Sequence, residues 1–125
     1  MSDEDVDFGG ADRQRDRRLR RRMLSTLHLA RIGPGGGLGG RVLRDLVDGA
    51  MPSTQQTTDD DHALGLVRDL VAKGLATETD QRTHKRQRFS LDHLFFRVTA
   101  KGSSLWNETI PPDPDVEDQR IAKGE

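Results

Sequence analysis

The sequence predicts an α+β domain in which a three-helix core is followed by a two-stranded β-ribbon and a short C-terminal helix. Three observations carry that expectation. Apolar residues recur at helical spacing in three stretches that end at Val71. After Gly74 the pattern changes to one suited to strands. A polar, basic stretch then separates two strand-like segments, as the tip of a hairpin would.

Residues 1–12 carry five acids and no base and show no periodicity, which predicts a disordered acidic arm. Leu19, Met23, Leu27 and Ala30 then recur on one face, with Leu24 beside them, and predict a first helix over about 13–31. The glycine-rich segment 33–40 predicts no regular structure, because glycine loses backbone entropy on ordering and Pro34 removes a donor. A second helix over about 40–48 takes Val42, Leu43, Leu46 and Val47 as its apolar face, and 51–58 is a polar connector. The third helix is the clearest element. Thr58 or Asp59 can cap it, and Ala63, Leu64, Leu66, Val67, Leu70 and Val71 form its stripe. Gly74 stands where a left-handed C-terminal residue belongs. Residues 75–79 and 93–99 are the two strands, and 100–109 form a last helical stretch ended by Pro111, Pro112 and Pro114. The domain therefore spans 13–109, and 110–125 is a solvated, disordered acidic tail. Leu66, Leu70, Phe95, Val98, Leu105 and Trp106 are the core candidates.

With 125 residues, of which 32% are hydrophobic and 33% charged, the chain has apolar material for one core only. The absence of cysteine excludes disulfides and thiolate metal sites and fits a reducing, cytoplasmic setting. No apolar run approaches the roughly 20 residues that cross a bilayer, so no membrane partner is expected. The net charge of -1 is a sum over segregated blocks. Residues 13–31 carry eight arginines against one acid, and 82–101 carry six bases against Asp92 alone. Local potential governs association with a polyanion, so both blocks are candidate phosphate-binding regions.

Three helices leading directly into a β-ribbon is the winged helix-turn-helix arrangement. The segment LVRDLVAKGLATE (66–78) resembles a recognition helix entering its first wing strand, as in bacterial regulators of the MarR, PadR and ArsR types. FRVTAKGSSLW (96–106) resembles the second wing strand stepping through Thr-x-x-Gly into a C-terminal helix. Size and order are also similar to small winged-helix proteins of Mu-like prophages. The resemblance covers about 17–109.

That resemblance implies double-stranded DNA as partner and a role as a transcriptional regulator or accessory factor of phage or prophage type. By position it implies contacts from Thr57, Thr58, His62, Arg68 and Lys73 on the third helix, with Gly65 and Asp69 on the same face. From the wing it implies Arg82, His84, Lys85, Arg86 and Arg88, with Thr83 and Gln87 among them. Arginine and lysine there would neutralise phosphates and release counterions, a sequence-blind and salt-sensitive effect. Many such regulators pair through terminal helices, so a homodimer through the C-terminal helix is also implied, and Trp106 is either core or part of that contact. Asp59, Asp60 and Asp61 depart from the pattern. Three carboxylates at the helix end nearest DNA repel phosphate, and this favours the alternative of a protein–protein interaction module for phage assembly or regulation. The arginines of 12–22 form either a second phosphate-binding face or a solvated one neutralised by the acidic arm.

Gly35, Gly37 and Gly40 match G-x-G-x-x-G, but no strand precedes them and no Lys-Ser/Thr pair follows, so a linker is the better reading. His28, His62, His84 and His93 have no metal-ligand spacing, and no catalytic set can be assembled from the sequence. The expectation is a non-enzymatic protein without cofactor or metal.

Overall fold

Helix α1, Asp3–Ala30, is the scaffold on which the other elements assemble in the computed structural model, which describes residues 3–83 and 90–118, with side chains from Gly10 onward. Leu19, Met23, Leu24 and Leu27 are at most 1% exposed. Each such burial removes about 1.5–3 kcal/mol worth of apolar surface from water. The helix starts ten residues before the expected position, so 3–12 are helical backbone and not an irregular arm. Acidic residues in a first helical turn suit the positive end of the helix dipole, which offsets the missing apolar period there.

Among the described residues the chain forms four α-helices and a three-stranded antiparallel sheet. After α1 come β1 (Leu38–Gly39), α2 (Gly40–Gly49), α3 (Asp60–Ala72), β2 (Ala76–Asp80), β3 (Leu94–Val98) and α4 (Ala100–Trp106). The sheet order is β1-β3-β2. The third strand corrects the two-stranded expectation. β1 lies in the glycine-rich segment, pairing Leu38 with Phe96 and Gly39 with Phe95. Its approach is possible because Gly37 has no side chain, since a Cβ there would sit 2.1 Å from the Phe96 carbonyl oxygen. A 3-10 turn, Pro34–Gly36, precedes it.

α3 begins at the cap Asp59, whose carboxylate accepts from the His62 amide at 2.7 Å. It ends where Leu75 N–H donates to the Leu70 carbonyl and Gly74 N–H to that of Val71, both at 2.9 Å. Gly74 has φ +76, the left-handed conformation that this closure requires. The chain turns there straight into β2, whose register with β3 runs from Ala76 opposite Val98 to Asp80 opposite Leu94. Beyond Asp80 the ribbon gains one further bond, from Gln81 N–H to the His93 carbonyl.

Leu94 and Phe96 point inward and are fully buried, whereas Phe95 is only half-buried on the opposite sheet face. The core aromatic of this strand is thus Phe96 and not the expected Phe95. A one-residue offset in a strand exchanges its faces. Val98 and Trp106 are partly buried against the core, while Leu66, Leu70 and Leu105 lie within it. Trp106 stacks on His28 with ring centroids 4.2 Å apart, and His28 Nδ1 is 2.9 Å from Ser103 Oγ. Burial lowers the His28 pKa, with Arg31 adding to the effect. Thr99 caps α4, accepting from Gly102 N–H and donating to the Gly74 carbonyl, and so ties the end of the ribbon to the α3–β2 turn.

Two further expectations need correction. Of the four apolar residues expected on the inner face of α2, Leu43 and Val47 are buried, but Val42 and Leu46 are about half exposed, at 50% and 51%. The segment after α4 is not a free tail as far as residue 118. Val116 is 2% exposed within the core, and Glu117 N–H donates to the Arg17 carbonyl. Salt bridges described below hold the surrounding acids, so the prolines end α4 without releasing the chain from the domain.

Candidate nucleic-acid interface

The candidate interface consists of the outward side of α3 and the end of the β2–β3 ribbon. At the start of α3, Asp60 accepts two hydrogen bonds from Arg41, at 2.8 and 2.7 Å, and a third from Arg44. The Arg41 bond is the main reason that its carboxyl is held below the usual range, and Arg41 is in turn held above its own. Arg41 Nε also donates to Asp92 at 3.0 Å. Asp60 therefore glues α3 to α2, and Asp59 caps the helix. Beside the exposed cap Asp59, Asp61 also faces solvent. It lines a cleft of about 490 Å³ with Asp60, Asp92 and His93 at the root of the ribbon.

The residues expected to touch DNA from α3 are mostly engaged within the chain. Thr57 is buried, at 7% exposure, and this corrects its placement at the mouth of the helix. Its hydroxyl donates to Asp48 at 2.7 Å and accepts from Arg44 at 2.8 Å, so it joins α2 to the connector. Thr58 is exposed, and its amide donates to His62 Nδ1 at 3.0 Å. An accepting Nδ1 leaves the proton on Nε2, which lies 2.9 Å from Asp16 of α1. Arg68 is exposed but forked onto Glu78 of β2 through bonds of 2.8 and 2.9 Å. That pairing is the main cause of its raised pKa. Lys73 lies between Asp115 at 2.9 Å and Asp113 at 3.1 Å, its pKa raised mainly by Asp115. Asp69 is held by Arg20 at 2.7 Å, and Gly65 is exposed.

Beyond Asp61, which has no ion pair among the described residues, the outward charges of α3 (Arg68, Asp69 and Lys73) are thus all paired within the chain. The two cations expected to clamp phosphate, Arg68 and Lys73, both rest on carboxylates of other elements. The sequence reading missed those partners, Glu78, Asp113 and Asp115. Spacing alone gave no sign of them, because each meets its partner only after the chain has folded.

At the ribbon, Arg82 is bonded to Asp80 at 2.7 Å, and Thr83 is exposed. His84, Lys85, Arg86 and Arg88, with Gln87, lie outside the described residues. The returning leg is pinned: Leu91 is 4% exposed in the core and Asp92 is bonded to Arg41. The expected basic tip of 80–92 is therefore shorter at its C-terminal side. The arginines of α1 are divided as well. Arg18 pairs with Glu117 and Arg20 with Asp69, while Arg21 lies 5.9 Å from the Trp106 ring centroid and donates to the Trp106 carbonyl. Among the described residues no group of acids and histidines could hold a metal ion, and no helix is long and apolar enough to cross a membrane.

Compared with known proteins, the chain matches no family model, no curated protein and no solved structure at a significant level.

Proposed function

We propose that this chain is a winged helix-turn-helix protein that binds duplex DNA chiefly through its wing, as a cytoplasmic, non-enzymatic regulator or accessory factor of phage or prophage type. One observation carries the reading. α3 turns through Gly74 directly into an antiparallel ribbon, and a strand before α2 completes the sheet in the order β1-β3-β2. The stretch that joins the two ribbon strands holds Arg82, Lys85, Arg86 and Arg88 and no acid between them. In this proposal those four cations release counterions from phosphates, Arg82 exchanging its bond to Asp80 for one to phosphate, and α3 supplies shape and orientation but little charge.

A second reading, a protein-interaction module, is favoured by the matched charges of α3 and by the exposed Asp61, which repels phosphate. Salt-titrated binding to a duplex separates the two. Four wing contacts give a slope of about -3.6 in log affinity against log salt, and replacing Arg82, Lys85, Arg86 and Arg88 with alanine removes most of it. Absence of binding at low salt supports the protein-interaction reading instead.

A further inference from the structure

Four large apolar side chains are strongly exposed among the described residues: Leu29 at 60%, Ile32 at 82%, Val42 at 50% and Leu46 at 51%. Single exposed leucines are ordinary on a protein surface, but here all four fall at the end of α1, just after it, and on α2. Leu29 and Leu46 line a shallow groove of about 420 Å³ between the two helices, together with Leu38 of β1.

We propose that this face is the contact between two copies of the chain in an isologous dimer. The charges at its rim select a second copy over other occupants. Arg22 lines the groove from α1, and Asp45 lies on the exposed side of α2 between Val42 and Leu46. Neither makes an ion pair among the described residues, whereas the neighbouring Arg44, Asp48 and Arg18 all do. α1 and α2 run antiparallel along the groove: Arg22 and Ala50 line it, and the chain returns through Leu38 near Ala30. A two-fold axis parallel to the helices lays α1 of one copy over α2 of the other. Leu29 then meets Leu46 of the partner subunit, and Arg22 reaches toward Asp45 of the partner subunit, twice by symmetry. An apolar strip that carries a cation on one helix and an anion on the other, neither with an ion pair among the described residues, can complement itself.

The test is sedimentation equilibrium on the full chain without DNA, so that its outcome is separate from the proposed DNA binding. The expected species has twice the chain mass of 14.0 kDa. Leu46→Asp, at a half-exposed position, keeps the helical circular dichroism and weakens the dimer by more than about a hundredfold. Arg22→Asp and Asp45→Arg each weaken it by about tenfold, because two pairs are reversed at once. Mixing the Arg22→Asp and Asp45→Arg chains restores association as a heterodimer, in which every reversed charge meets its opposite. A monomer at all attainable concentrations overturns the proposal. So does a dimer indifferent to Leu46→Asp, or a mixture of the two charge variants that associates no better than each alone.

Discussion

Helices α2 and α3 are neighbours joined through Asp60, and their outward faces are managed in opposite ways. On α3 the outward charges after Asp61 are consumed: Arg68 by Glu78, Asp69 by Arg20, and Lys73 at its C-terminal cap by Asp113 and Asp115. On α2 the outward residues Val42 and Leu46 have no cover, and Asp45 between them has no counter-ion among the described residues. A helix whose outer charges are matched within its own chain has little electrostatic reason to seek a partner. An amphipathic helix with apolar residues left over has a hydrophobic one. Both proposals follow this difference: they give α3 a supporting role and assign contact with other molecules to the ribbon end and the α1–α2 face.

Truncating one leucine on each helix separates the two faces by the largest margin. Leu70→Ala on the buried side of α3, at 0% exposure, costs about 2–5 kcal/mol in denaturant unfolding. Leu46→Ala, measured at concentrations where the chain is monomeric, costs below about 1 kcal/mol. Equal losses would mean that the outward side of α2 is not bare.

The joint between the two helices gives a smaller effect. Asp60→Asn removes the carboxylate that Arg41 and Arg44 share and costs about 1 kcal/mol, since the Asp60 side chain is 41% exposed and screened by water. Because Arg41 lowers the Asp60 pKa, the stabilisation is fully present above the ordinary carboxylate value of 3.8 and is lost as pH falls through the lowered one. Acid unfolding of Asp60→Asn should accordingly be less steep than that of the parent chain. The same profile in both would remove Asp60 from the joint.

The smallest effect concerns the packing of α4 on α1. His28 is buried and its pKa lies below 6.5, so the unfolded chain takes up its proton first. Stability from this group is full above about pH 6.5 and declines as pH falls through that value toward the lowered pKa. His28→Phe keeps a ring against Trp106 but cannot titrate. Its melting temperature should fall less between pH 7 and pH 5 than that of the parent. An unchanged difference would place the titration elsewhere.

Much of the fold was legible where a local signal coincided with a terminus. α2 and α3 announce themselves through apolar stripes with caps at Asp59 and Gly74, and the strands β2 and β3 fall within one residue of their expected bounds. What stayed hidden depends on distant partners. β1 is a two-residue backbone pairing with β3, and Leu38 and Gly39 carry no alternating pattern to reveal it. Val116 is a single apolar residue among acids, and only the folded positions of Arg17, Arg18 and Lys73 give that segment its anchors. The candidate site failed for the same reason. The charges of Arg68 and Lys73 could be read from sequence, but the carboxylates that occupy them could not. The excess of apolar residues on α2 was visible, since Leu43 and Val47 already suffice for its inner side, yet nothing local said which pair would face outward.

The proposal that the wing, and not α3, supplies the charge for DNA stands or falls with two variants compared on one duplex at low salt. Replacing Arg82, Lys85, Arg86 and Arg88 together with alanine should remove most of the affinity, while Arg68→Ala with Lys73→Ala should leave it within about threefold of the parent chain. Loss of binding in the Arg68 and Lys73 variant, with the wing variant unaffected, would contradict it.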